Sequence, residues 1–459
     1  DAAPAPLRVV STQPATEWNA VFENRSGWIG GDGVFSVPLR NDRVLWLFGD
    51  SFVDETSPYS RADAAFVRNT VAIETGRDPR TATMRFYWRH NRDDVPTAFF
   101  SSHPDSWYWP RGGIRLKGGA LYLFLDKVKP AANDLQFALD GYAIARIANV
   151  DDEPTRWTVR VFDQPALPFD AQPGSAAVLS GAHVVTLATR KSDGHAGAFL
   201  RYRLRALHAG NSFTGEWWLG ARGWVPTNRV GAHGPTFIID DAGAESSVHW
   251  DARLRSFVHV ASYGFGASSI GVRTAPKLTG PWSDALMVYR PPESDAPRPF
   301  VYAGKAHPEH GLRYEMAGEY LDVVTGLWDS WDDDAFPRDK ATGRFFDRAK
   351  LHRLNHDGRF FKVEGPLNAG RSAQGQPVIF QAGSSVPGIE LAGRHADGVF
   401  TSVGRMEDQA ELTAKLKDAA VRHGRSADHI KVFPGISPIV GATEEEADRK
   451  YRVIRDLLS

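Results

Sequence analysis

Residues 27–51, GWIGGDGVFSVPLRNDRVLWLFGDS, decide the fold expected for this chain of 459 residues. The segment contains two short apolar runs rich in strand-forming residues, at positions 34–39 and 44–48. Asn41 and Asp42 separate the two runs and favour a tight turn. The segment therefore predicts a β-hairpin.

Two carboxylates flank this hairpin. Asp32 lies in the sequence GGDG before the first predicted strand, and Asp50 follows Gly49 after the second. In an antiparallel pair these positions lie at the same end of the sheet, and two acids at one edge are what cleavage of a glycosidic bond requires. Gly-Asp pairs are also common in ordinary turns, so the hairpin alone leaves a purely structural role open.

The same pattern of strand, polar turn and strand recurs along the first three hundred residues. It is found at residues 33–50, 112–126, 175–189 and 246–262, and it begins again at residues 301–307. Trp157, Trp217 and Trp282 each follow a turn, at a spacing of roughly 60 residues. Repeats of this length predict a five-bladed β-propeller, whose alternative is a β-sandwich that needs no recurring tryptophan.

The loops at one end of a propeller's inner strands form a funnel in which a substrate can bind. Candidate substrate-binding residues at equivalent blade edges are Asn69, Trp109, Arg111, His233, Glu245 and His307. Each also has a structural alternative, such as packing between blades for Trp109, a turn position for either histidine, or a solvated loop for Glu245. Aromatic rings beside acids and amides suit a carbohydrate. One acid would protonate the leaving oxygen, and the other would activate water or attack the anomeric carbon.

The phrases GGDGVFSVPL, LWLFGDSFV, RNTVAI, WYWPRGG, ESSVHWD and YAGKAHPE resemble the five-bladed propeller family of microbial endo-D-arabinanases. The resemblance covers about residues 5–309. It implies a glycoside hydrolase that cuts α-D-arabinofuranosyl links inside mycobacterial D-arabinan, with Asp32 and Asp50 as the catalytic acids. By analogy with related propeller glycosidases, we expect inversion, with Asp32 as the base and Asp50 as the acid. A non-catalytic sugar-binding propeller is an alternative.

After residue 309 the pattern changes to strands alternating with helices, which indicates βα units. Positions 406–423 predict one helix, and Thr443 with Glu446 predicts a capping box that opens another. The phrases RYEMAGEYLDVVTGLWDSWDDDAF, PVIFQAGSS and FPGISPIVG resemble the later part of nitrilotriacetate-type flavin-dependent monooxygenases, relatives of bacterial luciferase. The resemblance implies part of a (β/α)₈ barrel, in which Ser384 and Ser385 match the flavin-phosphate loop. Because the early barrel strands are missing, the expectation is that no cofactor is bound, and a monooxygenase is the alternative function.

We therefore expect a mainly β chain with a propeller at residues 1–309 and a partial barrel-like α/β segment at residues 310–459. The fifth blade would stop after its first strand, because barrel-like sequence begins directly after that strand. No linker rich in Gly, Ser or Pro separates the two parts. Residues 7–12 or the stretch near Trp18 could complete the propeller, and residues 311–316 could add a second strand to its last blade. His352 and His356 lack a surrounding ligand set, so no metal site is predicted, although calcium in the channel stays open.

The composition excludes several classes of partner. A net charge of −1 gives no electrostatic reason to bind nucleic acid, and no apolar run approaches the roughly 20 residues of a membrane span. The chain has no cysteine, which excludes disulfides and thiol chemistry. The first residues, DAAPAPL, are typical of a mature chain after removal of a signal peptide, although an arbitrary start of the sequence is the alternative. We expect a secreted or periplasmic protein whose partner is a polysaccharide, and the oligomeric state stays open.

Overall fold

The computed structural model divides the chain into two compact units, Asp1–His310 (unit 1) and Gly311–Ser459 (unit 2). It describes all residues except 1–8, 10–11, 13–14, 24–26, 57–59, 77–78, 80, 102–104, 134, 210–213, 252–253, 265, 359, 383–385, 402–405, 436–437 and 459. None of the helices in this described part combines the length and the hydropathy that a membrane crossing needs.

Unit 1 is built from four antiparallel sheets, which we call blades 1 to 4 in chain order. Blade 1 contains Phe35–Pro38, Arg43–Phe48, Thr70–Thr75 and Thr83–Tyr87. Blade 2 contains Trp107–Arg115, Leu121–Pro130, Phe137–Ile147 and Val159–Asp163. Blade 3 contains Gln172–Ser180, His183–Thr189, Gly197–Arg203, Glu216–Trp218 and Trp224–Pro226. Blade 4 contains Ser247–Asp251, Ser256–Tyr263, Ser269–Ala275 and Leu286–Tyr289.

Shorter elements complete unit 1. One small sheet pairs Trp28–Gly31, Ser51–Val53 and Ala65–Val67, and another pairs Arg89–His90 with Pro96–Thr97. The α-helices are α1 (Thr16–Val21) and α2 (Leu204–Ala209). The 3₁₀ turns are Pro154–Arg156, Gly220–Arg222, Thr227–Arg229 and Pro292–Asp295.

The first strands of consecutive blades lie side by side, which is the arrangement of a propeller. One apolar cluster fills each space between neighbouring blades. The recurring tryptophans belong to these clusters: Trp157 is buried between blades 1 and 2, Trp217 between blades 2 and 3, and Trp282 packs between blades 3 and 4. The repeat in the sequence thus corresponds to the filling of each interface between blades.

Four of the five predicted blades are present as sheets. At the position of the fifth blade, the chain contributes one segment. Residues 301–307 run between blade 4 and blade 1. The backbone nitrogens of Gly304 and Ala306 donate to the hydroxyls of Ser262 and Ser247, at 2.7 and 2.8 Å. The prediction that residues 311–316 add a second strand is wrong, because α3 (Pro308–Trp328) begins directly after the segment. In the described part of the chain, the fifth position therefore holds no sheet of its own.

The start of the chain also differs from expectation. The stretch near Trp18 forms α1 rather than a closing strand, and residues 7–12 lie mostly outside the described residues. Just after α1, the ring of Phe22 packs edge-on against Trp46, with ring centroids 4.8 Å apart. Phe22 thus covers the side of blade 1 instead of extending a sheet.

Unit 2 contains three parallel strands, Phe380–Ala382, Gly398–Thr401 and Lys431–Pro434, which confirms the predicted βα units. Its helices are the rest of α3, α4 (Val386–His395), α5 (Met406–Arg422) and α6 (Glu444–Leu458), with a 3₁₀ turn at Arg348–Lys350 and a short hairpin of His356–Asp357 and Lys362–Val363. The predicted cap is present, since the amide nitrogen of Glu446 lies 3.3 Å from the Thr443 hydroxyl.

One face of the parallel sheet is covered and the other is not. Val399 packs against Ile389 of α4 and Leu416 of α5. On the opposite face, Phe380 and Phe433 are 61% and 46% exposed, although their rings lie only 5.3 Å apart. The described part of unit 2 is therefore a half-covered βα layer, which fits the prediction of a partial barrel.

Candidate active site

Asp32 and Asp50 face each other where the first hairpin leaves blade 1 and enters the small sheet. The amide nitrogen of Asp32 donates to the carbonyl oxygen of Asp50 at 3.1 Å, and that of Gly49 donates to the carbonyl of Asp32 at 2.9 Å. A Cβ atom on residue 49 would come within 2.4 Å of Asp32 Oδ1. Only glycine therefore leaves room for the Asp32 carboxylate beside Asp50.

The two carboxylates have different hydrogen-bond partners. Tyr302, in the segment of residues 301–307, donates its phenol to Asp32 Oδ2 at 3.0 Å. Trp109 Nε1 donates to Asp50 Oδ1 at 2.9 Å, and the Arg68 guanidinium lies 3.4 Å from Asp50 Oδ2. Asp50 thus has a cationic neighbour, whereas Asp32 is held by a neutral phenol.

The charges around the two acids also differ, since Asp32 has anionic neighbours and Asp50 has a cationic one. Burial, together with the negative charges of Glu245 and Asp50, raises the pKa of Asp32 to about 6, against the hydrogen bond from Tyr302. Burial also raises the pKa of Asp50, but Trp109 and the Arg68 cation oppose that rise. Asp32 is therefore the carboxyl group better suited to hold a proton near neutral pH.

The buried guanidinium of Arg111, on blade 2, contacts one acid of the same blade and one acid just before blade 4. Arg111 Nη1 lies 3.4 Å from Glu245 Oε1, and its Nε lies 3.4 Å from Asp126 Oδ2. The same side chain donates to the Ser175 hydroxyl at 3.2 Å and to the carbonyl of Ala244. Arg111 is buried and its Nη2 group donates to protein oxygens, so it positions Glu245 rather than reaching toward solvent.

Lys305 brings a second cation to this cluster from the segment of residues 301–307. Its ammonium group donates to the carbonyl of Ala303 at 2.7 Å and to the carbonyl of Gly33. It also lies 4.2 Å from the centroid of the Phe35 ring. Burial lowers the pKa of Lys305 to about 8, although the charges of Glu245 and Asp32 act in the opposite direction.

The structure brings together five of the residues predicted from the sequence: Asp32, Asp50, Trp109, Arg111 and Glu245. It places the other described candidates elsewhere. Asn69 is buried, and its amide group bonds to the carbonyls of Phe100 and Tyr108 and to the amide nitrogen of Phe100. Because these backbone groups occupy the amide, the predicted contact of Asn69 with substrate is replaced by a structural role.

The two candidate histidines also lie apart from the acid pair. His307 Nδ1 is 2.6 Å from the hydroxyl of Ser36 on the first strand of blade 1, and its ring packs on Trp46 of the second strand. His233 is exposed in the turn formed by residues 231–234. Ser384 and Ser385 lie outside the described residues.

Sequence reasoning missed Arg68, Asp126, Tyr302 and Lys305. A signal for Asp126 existed, because LYLFLD in blade 2 repeats LWLFGD in blade 1 and places Asp126 at the position of Asp50. Tyr302 and Lys305 stand in the phrase from which only His307 was singled out. Nothing local in that phrase indicates that its chain passes Asp32.

In the described part of unit 2, two histidines each contact a single carboxylate, and no metal-binding cluster is found. His352 lies 2.9 Å from Asp332, and His356 lies 3.0 Å from Glu319. Across the described residues of the chain, no group of three or more His, Asp or Glu side chains is arranged to hold a metal ion.

Residues 295–458 match the family described as luciferase-like monooxygenase. The chain is 48% identical over 157 residues to N-acetyl-S-(2-succino)cysteine monooxygenase of Bacillus subtilis, covering 34% of this chain and 36% of that protein. It is 47% identical over 152 residues to nitrilotriacetate monooxygenase component A of Aminobacter aminovorans, covering 33% of this chain and 34% of that protein. The chain thus spans about a third of the length of these curated relatives, which are enzymes.

The expectation that no cofactor is involved is wrong. The luciferase-like relatives of the C-terminal part depend on FMN. A similar solved structure, riboflavin lyase with modified FMN and riboflavin, is 39% identical over 35% of this chain and 34% of that chain, with a TM-score of 0.30. The described residues fit a phosphate-bearing group, because a parallel strand ends at Ala382 and α4 begins at Val386, and the start of a helix favours a bound anion. Nearby, Gln381 Oε1 is buried without a hydrogen-bond partner among the described residues.

The propeller part has a different set of similarities. A putative hydrolase from Bacteroides ovatus is 18% identical, covering 64% of this chain and 79% of that chain, with a TM-score of 0.49. The specific resemblance to endo-D-arabinanases stays a prediction. A further family model matches residues 15–317. Because that match spans more than half of the sequence, the chain belongs to the family described as domain of unknown function (DUF5005).

Proposed function

We propose that unit 1 is a glycoside hydrolase whose acid pair is Asp32 and Asp50. The observation that carries this proposal is the placement of two carboxylates on directly paired backbone positions, with a tryptophan donor on one and a tyrosine donor on the other. Two carboxyl groups with different environments are what hydrolysis of a glycosidic bond needs, because one must give a proton while the other stays ionised.

The environments favour Asp32 as the acid and Asp50 as the base, which is the reverse of the assignment expected by analogy. Asp32 faces two other acids, so its proton is retained toward neutral pH. Asp50 accepts hydrogen bonds from Trp109 and Arg68, which favour its ionised form. In the proposed reaction, Asp32 protonates the leaving oxygen, and Asp50 takes a proton from the attacking water.

We propose α-D-arabinofuranosyl links within D-arabinan as the substrate, cut inside the chain and outside the cell. The sequence resemblance supports this choice, and so does the aromatic side chain of Trp109 beside the acids, because sugar rings pack on aromatic faces. This substrate agrees with the exported, polysaccharide-directed protein expected from the sequence.

The first test is incubation of the purified chain with mycobacterial arabinogalactan, followed by chromatography of the released sugars. We expect a ladder of arabino-oligosaccharides, and a loss of at least roughly 100-fold in rate for Asp32→Asn and for Asp50→Asn. Asp94→Asn is the matched control, because Asp94 is exposed in a turn far along the chain from both acids. Binding without release would identify a sugar-binding propeller, and release that survives both substitutions would contradict the assigned acid pair.

A second candidate is an FMN-dependent monooxygenase activity located in unit 2. The sequence identities of 47–48% favour this candidate more strongly than any similarity favours the glycosidase, although they cover about a third of each relative. Bound FMN would supply the oxygen chemistry, and the start of α4 at Val386, which follows the strand that ends at Ala382, is the part of this chain suited to hold its phosphate. Titration of the full chain with FMN, read by flavin fluorescence, tests it. Saturable quenching supports the candidate, and an unchanged signal at high protein concentration excludes it.

A further inference from the structure

The segment of residues 301–307 is attached differently on its two sides. Toward blade 4, the hydroxyls of Ser262 and Ser247 bind its backbone nitrogens. Toward blade 1, at the level of the acids, the Lys305 ammonium binds the carbonyl of Gly33 while it also binds the carbonyl of Ala303 within the segment. Lys305 thus connects the loop that carries Asp32 to the residue that directly follows Tyr302.

We propose that Lys305 is a positioning residue, which holds the phenol of Tyr302 against Asp32 by bridging the carbonyls of Ala303 and Gly33. The proposal rests on the proposed function only in treating Asp32 as a catalytic acid. The Lys305 ammonium group itself donates to two backbone carbonyls and not to the carboxylate of Asp32. It acts through the placement of Tyr302.

The free-energy cost of burying the Lys305 ammonium group supports a positioning role for this side chain. Placing an ammonium group in a partly buried position is unfavourable unless its donors are satisfied, and an apolar side chain could fill the same volume without that cost. The two carbonyls and the face of Phe35 provide the compensating contacts. The position therefore requires a long side chain that ends in several hydrogen-bond donors.

The alternative is that Lys305 affects Asp32 only through its charge. Glu245, Asp50 and Tyr302 act on Asp32, and Glu245, Arg111 and Asp32 act on Lys305, so the two residues share one electrostatic environment. A substitution that removes the charge but keeps donors separates the two explanations. Lys305→Gln does this, whereas Lys305→Met removes both the charge and the donors.

The experiment measures the titration of the Asp32 carboxyl carbon by NMR in the full chain labelled with ¹³C-aspartate, with the signal assigned by its loss in Asp32→Asn. We expect Lys305→Met and Tyr302→Phe each to move the titration midpoint to higher pH, and the double variant to move it no further than Tyr302→Phe alone. The titration midpoint of Asp32 in Lys305→Gln should lie closer to that of the wild type than to that of Lys305→Met. The proposal would be overturned if the midpoint shifts of Lys305→Met and Tyr302→Phe added up in the double variant. It would also be overturned if Lys305→Gln and Lys305→Met shifted the midpoint equally.

This readout needs no substrate, so a failure of the hydrolase assay and a failure of the positioning role are distinguishable. If Lys305→Met does not fold, Lys305→Gln is compared directly with Tyr302→Phe, and a shift of equal size in the two overturns the proposal. Where hydrolysis is observed, Lys305→Met should lower kcat by roughly tenfold while KM changes little, because a misplaced phenol affects the acid and not the binding of the sugar.

Discussion

The phenol of Tyr302 donates a hydrogen bond to Asp32 Oδ2 at 3.0 Å and joins two residues that lie 270 positions apart in the sequence. Asp32 belongs to the first hairpin of unit 1, and Tyr302 to its last segment. The candidate acid is thus supported by both ends of the propeller part of the chain.

Replacing Tyr302 with phenylalanine should move the basic limb of the pH–rate profile to higher pH. The phenol favours the ionised form of Asp32, so its loss raises the pKa of Asp32 further, and an acid catalyst with a higher pKa stays protonated to higher pH. The measurement is kcat/KM for arabinan hydrolysis between pH 4 and pH 9. Movement of the acidic limb instead would show that Asp32 is the base. Tyr289→Phe, on the last strand of blade 4, is the matched control.

Replacing Trp109 with phenylalanine should move the acidic limb of the pH–rate profile to higher pH and leave the basic limb in place. The indole N–H favours the ionised form of Asp50, so its removal raises the pKa of the proposed base, which then becomes protonated and inactive at a higher pH. The same profiles measure this shift. Trp250→Phe serves as the control, since Trp250 is 42% exposed on blade 4, and a profile shift of equal size there would refute the assignment.

Asp32→Asn should make unit 1 more stable than the wild type near pH 7.5, with the difference disappearing at about pH 4. The folded pKa of Asp32 is about 6, above the ordinary 3.8, so the folded state binds the proton more tightly than the unfolded state does. The stability of the wild type therefore falls as the pH rises through this window, and the asparagine variant avoids a loss on the order of 2 kcal/mol.

Urea unfolding at both pH values, followed by tryptophan fluorescence, measures this difference. The signal reports on unit 1, because 12 of the 14 tryptophans precede residue 310. Asp94→Asn is measured in parallel as the exposed control. A stability difference that is the same at both pH values would show that the ionisation of Asp32 is not its cause.

Asn69→Ala should lower the free energy of unfolding by about 3 kcal/mol and leave KM unchanged within about twofold. The substitution leaves two buried carbonyls and one amide nitrogen without their partner, and such losses cost about 1–3 kcal/mol each before relaxation. Asn133→Ala is the control, because Asn133 is exposed and the change should cost less than about 1 kcal/mol. A large rise in KM with unchanged stability would restore Asn69 as a substrate contact.

Local sequence patterns predicted the parts of unit 1 that are repeated. The hairpin turn lies at Asn41 and Asp42, which both adopt the positive φ that a two-residue turn requires. The spacing of Trp157, Trp217 and Trp282 predicted repeated blades, and in the structure one of these side chains packs at each interface between blades 1 to 4. The acid pair followed from the same hairpin, since both acids belong to one local element.

The parts that the sequence did not predict depend on contacts between distant residues. Nothing near Tyr302 or Lys305 shows that their segment runs beside Gly33, because that contact is made only when the last segment reaches the first blade. The role of Asn69 was missed for a similar reason, since its partners Phe100 and Tyr108 come from residues some thirty to forty positions later. In unit 2, helix periodicity and the capping box were sufficient because those signals are local.

The single segment that occupies the fifth position also has a consequence for folding kinetics. Since Tyr302 and Lys305 reach Asp32 and Gly33 across almost the whole of unit 1, the site cannot exist in any intermediate that lacks this longest chain closure. Contacts of such high sequence separation form slowly, because the entropy of a long loop must be lost before they can form. During refolding, catalytic activity should therefore return after the bulk of the β-structure, and its rate of return reports the arrival of the last segment.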